Sequence, residues 1–332
     1  MSQFVVPSKG EGVLELHNEA IIVDMLNSSL LCREYFEKLL SAGVAAINYT
    51  VAMNHSFRET VTRILDLQDL IDENKDIATF VTSAREILEA KKEGKVGIIA
   101  GFQNIAPLEG DLRFLRIYKD LGVRIIQLSY HFRNMAADGC KERTDSGLSE
   151  WGVELVKELN RLNILIDLAH VGRKSVLEAI ELSKDPVIAS HCNPRSILDV
   201  YQNKTDEEIM ALAEKGGVIG VTAFPRMLCR DPDRNCTIER VLDCIDYVVN
   251  LVGVNHVGIG LDFAEGWAEF PVTRRVLIKI DGRIYTWPEG LRTITDLPNL
   301  TKGLIERGYS EDEIKKILGL NFLRVFKEVV GE

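Results

Sequence analysis

The chain has 332 residues, 46% hydrophobic and 27% charged, with a formal net charge of −10. That composition is ordinary for a globular protein with a sizeable core, and an acidic chain without a basic stripe excludes a nucleic-acid surface. No basic segment leads into an apolar one at the start, no apolar run approaches the ~20 residues of a membrane span, and none of the six cysteines stands in C-x-x-C spacing, so the chain reads as a reduced, cytoplasmic protein that engages no membrane.

Apolar runs alternate with amphipathic helical patterns throughout. The runs expected to be strands are 20–26, 44–51, 95–102, 123–129, 164–170, 186–191, 217–224 and 256–263. Most are continuous rather than alternating, as parallel strands buried on both faces require. Between them, 152–163 carries apolar residues at helical spacing. The segment "TDEEIMALAEKG" opens with Thr205 three residues before Glu208, and "SEDEIKKIL" opens with Ser310 three before Glu313. Both are capping boxes that start a helix. Eight such runs with helices between them predict a closed (β/α)8 barrel in one domain over 1–332. A ninth candidate, "DIATFVTS" at 76–83, reads as an accessory strand. An open doubly wound sheet would show a glycine-rich phosphate loop after its first strand, and "VDMLNSS" has none.

A barrel carries its chemistry at the C-terminal strand ends. Those ends hold Asp24, Gln103, Tyr130 with His131, His170, His191 and Asp262. Two histidines on successive strands can converge on a metal, and Asp262 could take a proton or coordinate. A histidine at a strand end serves as well as a hydrogen-bonded structural group. His17 and His55 read as surface residues, and His256 starts a strand, at the wrong end. Adjacent strand residues point oppositely, so only one of Tyr130 and His131 is expected to face inward. The same rule sets Cys192 aside as a ligand beside His191.

The segments "LNILIDLAHVG" and "PVIASH", with "GFQNIAPLEGDLRFLRIYKDLGVRIIQLSY", "GLSEWG", "QNKTDEEI", "GGVIGVT", "HVGIGLDF" and "NFLRVF", closely resemble the renal (membrane) dipeptidase family of the amidohydrolase superfamily. The resemblance implies a two-zinc hydrolase on a barrel, acting on dipeptides, and suggests a homodimer. His170 and His191 match the two histidines of one zinc. Asp262 matches the aspartate that orients or deprotonates the nucleophile.

The sequence departs from the family at several matched positions. The family's Asp-x-His-x-Asp reads Asp24-Met25-Leu26-Asn27-Ser28, so Leu26 and Ser28 replace two ligands. Gln103 stands at the bridging glutamate and Tyr130 at a substrate-binding histidine. Gln202, before Asn203, stands where an arginine would hold the substrate carboxylate. Two cations need carboxylates to offset their repulsion, which leaves one zinc per chain at most, on His170 and His191 with Gln103, Asp262 or water. Arg133, Asn134, Asp138, Cys140 and Arg143, in the loop after the fourth run, offer a different substrate pocket or a solvated loop; Tyr130, Arg133, Asn134 and Gln202 are the substrate-binding candidates. The long segment 264–296, with Trp267 and Trp287, reads as a lid, a dimer contact or a surface insertion. Three readings follow: a one-metal hydrolase with Asp262 as base; a barrel that has lost hydrolysis and binds a small metabolite or partner; and metal-free chemistry on Tyr130, His170 and Asp262.

Overall fold

The computed structural model describes residues 9–231, 236–266 and 287–332. Nine strands occur among them: β1 (Ile22–Asn27), β2 (Val44–Ala52), β3 (Ala78–Phe80), β4 (Val96–Phe102), β5 (Val123–Gln127), β6 (Leu165–Asp167), β7 (Ile188–Cys192), β8 (Val218–Val221) and β9 (Val257–Ile259). They run in the order β2-β1-β9-β8-β7-β6-β5-β4, and a β2–β4 pairing closes the ring. Each of these pairings is parallel, and the result is an eight-stranded barrel with helices around it. The accessory strand β3 pairs with Val96–Ile98, the lower part of β4, while β5 takes the upper part of β4 from Ala100.

Burial falls into two shells. The outer one lies between strands and helices and includes Leu39, Ile64, Leu115, Leu155 and Val241. A separate cluster joins Val23, Met25, Ile99, Ile125, Leu165, Ile188 and Val218 to Phe322, Val325, Phe326 and Val329 of the last helix, Asn321–Val330. Several of these strand residues start their strands, so the last helix plugs the N-terminal mouth and leaves the C-terminal mouth for chemistry. Both expected capping boxes form: the Thr205 and Ser310 hydroxyls accept from the Glu208 and Glu313 amides. Among the described residues, no helix is long and apolar enough to cross a membrane.

Two expectations need correcting. Cys229 and Cys236 form a disulfide with Cα atoms 5.8 Å apart, so the chain is not fully reduced; a spacing of seven residues carries no ribbon or redox signature that a sequence reading could use. His17 is buried, not on the surface. Its Nδ1 accepts from Thr301 Oγ1 at 2.7 Å and its Nε2 donates to the Ala42 carbonyl at 2.9 Å, which ties the first helix to two others. Trp287 packs on Phe263 and Phe224, with ring centroids 5.8 and 6.0 Å away. This returns the chain to the barrel beside Asp262; Trp267 lies outside the described residues.

Candidate active site

The strands end earlier than the apolar runs suggest, and the functional side chains sit in the turns beyond them. After β6, the Asp167 carboxylate accepts the Ala169 and Ser190 amides at 3.0 and 2.9 Å. This stops the strand and locks the start of the next exit to it. His170 and Asp262 then take left-handed backbone, with φ 60° and 56°. His131 does the same at φ 64°. That turn breaks the strand alternation, so Tyr130 and His131 both pack on His170, at 4.6 and 4.4 Å between ring centroids. The expectation that only one of them faces inward is thereby corrected.

The two histidines of the strand exits meet. His170 Nε2 and His191 Nε2 are 2.8 Å apart. On the far side of its ring, His191 Nδ1 lies 2.7 Å from Ser190 Oγ, which in turn donates to Asp167. Burial holds both imidazoles neutral: it pushes His191 down to about 3 and His170 well below its ordinary value. Behind them the buried Lys204 pairs with Glu208 at 3.2 Å and donates to the Val171 carbonyl at 2.9 Å, and its positive charge adds to the downward shift.

The other half of the mouth is neutral and knitted together. Asp24, fully buried, spends Oδ1 on the Leu261 amide at 2.8 Å and Oδ2 on Asn27 Nδ2 at 3.0 Å. Burial lifts its carboxyl to about 7. Leu26 is apolar and buried. Gln103 donates through Nε2 to Thr50 Oγ1 at 2.7 Å and to Ser28 Oγ at 3.2 Å. Asp262, half-buried, is lifted to about 8, first by burial and then by Asp24. The Asp262 charge in turn helps to keep the Tyr130 phenol protonated.

Tyr130, His170, His191 and Asp262 therefore gather at one mouth, and Gln103 lies in the neutral half beside Ser28. Arg133 and Asn134 are spent on contacts that brace their loop. Arg133 pairs with the buried Asp138, and Asn134 donates to Asn104 Oδ1 and the Leu128 carbonyl while accepting the Ala136 and Ala137 amides. Gln202 is buried in the loop whose Tyr201 ring lies 5.9 Å from His131. Reading the sequence as strands passed over His131 and Cys140 as a pair, although Cys140 Sγ lies 3.8 Å from His131 Nδ1. The available signal was Gly139, a glycine beside a cysteine in a polar loop.

Residues 23–276 and 279–331 match the family model described as Membrane dipeptidase (Peptidase family M19). The chain belongs to the membrane dipeptidase family. It is similar to the dipeptidase tcpJ of Claviceps purpurea, 28% identical over 285 residues, which are 85% of this chain and 63% of that protein. An uncharacterized dipeptidase of Schizosaccharomyces pombe is 30% identical over 277 residues, 82% of this chain and 62% of its own length. The chain thus spans less than two thirds of these curated relatives. Among solved structures, an amidohydrolase from Pseudomonas aeruginosa is 38% identical with a TM-score of 0.91, covering 96% of this chain and 99% of that one. A metallo peptidase from Rhodobacter sphaeroides, liganded with a phosphinate mimic of the dipeptide L-Ala-D-Ala, shares the fold at 20% identity and a TM-score of 0.78, covering 93% of this chain and 99% of its own.

Membership in this metallopeptidase family implies metal dependence, and the donor chemistry of this chain fits it only in part. The half built from Leu26, Ser28 and Gln103 presents a methyl surface, a hydroxyl and an amide that donates, none of which offsets cationic charge. The half built from His170 and His191 keeps neutral imidazoles, which is the protonation state a metal requires.

Proposed function

We propose that this family member is a hydrolase of amide bonds in small dipeptide-like substrates, working with at most one divalent ion, zinc by ligand type. The observation that carries the reading is the meeting of His170 and His191 at 2.8 Å, backed by Ser190 and Asp167 and set at the barrel mouth near Asp262. The ion would be anchored at this histidine corner. When bound it supplies Lewis-acid polarisation of the scissile carbonyl.

The chain's own residues would do the rest. Asp262, lifted to about 8, exchanges a proton near neutral pH, which suits a group that takes one from water and returns it to the leaving amine. Tyr130, whose phenol stays protonated, can donate a hydrogen bond to the oxygen on which charge develops. Gln202 offers a neutral amide to the end of the substrate that an arginine would grip as a carboxylate, so neutral or blocked ends should be accepted. The walls of Leu26 and Phe263 keep bulk water from this side of the site.

The test is release of free amine from a panel of dipeptides, including L-Ala-D-Ala, and N-acyl amino acids. Turnover that a chelator removes and zinc restores, and that His170→Ala abolishes, is the expected result. A folded, zinc-loaded protein that turns over nothing in the panel would overturn the reading in favour of a barrel that only binds its ligand.

A further inference from the structure

We propose that Cys140 and His131 join His170 in a thiolate-containing site for a zinc-class divalent cation, a donor set that shares only His170 with the family's zinc ligands. This rests on the single-ion reading above and names the donors that hold the ion.

The placement of Cys140 is built into the backbone. The loop after β5 folds back so that Gly139 bridges antiparallel to Val171. The Cys140 amide then donates to the His170 carbonyl at 2.8 Å, and the Lys141 amide to the His131 carbonyl at 2.8 Å. A Cβ at 139 would stand 2.2 Å from the His131 carbonyl carbon and 2.3 Å from its oxygen. Only glycine permits that approach. The outcome is that one donor atom each from His131, Cys140 and His170 lie within 4.8 Å of one another.

Independently, one of these side chains holds a nitrogen without a partner. His170 is 5% exposed, and its Nδ1 is buried with no hydrogen bond. The hydrogen-bond chain indicates what that nitrogen carries. The Ser190 hydroxyl donates to Asp167, which leaves Ser190 Oγ able to accept from His191 Nδ1. In the tautomer that matches this chain, His170 Nε2–H donates to His191 Nε2. That tautomer makes the unpartnered His170 Nδ1 a lone pair. A buried polar group left unpaired carries its full desolvation penalty, which a cation would relieve.

Thiolate with two imidazoles is a donor set for zinc with a position left open. Its one negative charge replaces, for a single ion, the carboxylates absent at Ser28 and Gln103. His191 becomes the group that orients His170 through its other nitrogen, as ligating histidines are commonly held.

Cobalt(II) titration of the metal-stripped full chain tests this. Expected is a near-ultraviolet thiolate-to-cobalt charge-transfer band, absent in Cys140→Ser and Cys140→Ala and weakened in His131→Gln. In His191→Gln the band should persist, with binding about 10–100-fold weaker. Circular dichroism melts establish that the variants are folded; should the Cys140 variants not fold, His131→Gln carries the test. Cobalt bound without the band and lost in His191→Gln would overturn the proposal while leaving the single-ion hydrolase standing. A chain that takes up no cobalt would overturn both. A band in a protein without dipeptide turnover would leave this site standing and end the hydrolase reading.

Discussion

At the scale of residues, this mouth is defined by what three side chains gave up. Leu26, Ser28 and Gln103 carry no charge, and Gln103 points N–H groups where a bridge would need oxygen lone pairs. Restoring one ligand among them should do nothing. Leu26→His alone leaves zinc content unchanged, since Ser28 and Gln103 still supply no carboxylate to offset a second cation and Asp24 is spent on Leu261 and Asn27. The combined Leu26→His, Ser28→Asp and Gln103→Glu variant should raise zinc content from about one to about two ions per chain, read by elemental analysis; an unchanged content would mean that these positions do not correspond to the family's ligands. Gln202 makes the complementary case on the substrate side. Gln202→Arg should lower KM for dipeptides with a free carboxylate about tenfold or more, since a charge-assisted pair contributes about 1.5–3 kcal/mol, with little change for amidated dipeptides. Equal effects on both would show that Gln202 does not face the substrate terminus.

At the scale of elements, the last helix and the strand exits divide the work. Asn321–Val330 closes the bottom of the barrel with Phe322 and Phe326, both fully buried. Phe326→Ala should cost about 3–5 kcal/mol in denaturant unfolding, with the dipeptide KM unchanged because the opposite mouth is intact; a loss below ~1 kcal/mol would mean the plug is marginal. Continuous apolar runs betrayed every barrel strand, since a strand buried on both faces is apolar at most of its positions. Capping residues betrayed helix starts, because a hydroxyl three residues before a glutamate has a local use. The turns beyond the strands were illegible. His131, His170 and Asp262 adopt left-handed backbone that costs about 1–3 kcal/mol each for a side chain with a Cβ; histidine and aspartate enter it more readily than most residues, but no turn motif in the sequence marks these positions. The surrounding structure imposes it, by Asp167 holding the β6 exit and by Gly139 admitting the returning loop. His17 escaped for a related reason: its partners, Ala42 and Thr301, are distant in the chain.

At the scale of the whole molecule, the site sets how stability should respond to pH in the metal-free protein. Burial lowers the folded-state values of His17, His131, His170 and His191 below 6.5. Below pH 6.5 the unfolded chain binds these protons and the folded chain resists them, so stability rises with pH up to about 6.5. Asp24 and Asp262 act in the opposite sense. Their folded values, about 7 and about 8, lie above the ordinary 3.8, so the folded chain retains protons that the unfolded chain has released, and stability falls as pH rises to those values. From pH 4 to 6.5 the two sets oppose each other; above 6.5 the histidines are silent and only the carboxyls remain. The melting temperature of the metal-free protein should therefore decline between pH 6.5 and 8. Asp262→Asn, which cannot ionise, should decline less and melt higher than the parent at pH 8 while losing hydrolysis. A parallel decline in both proteins would show that Asp262 is already ionised in the folded state, and would remove it as a group that exchanges a proton near neutrality. A carboxyl held at the mouth against its own ionisation is a cost to the fold, and such costs are tolerated where activity needs the group.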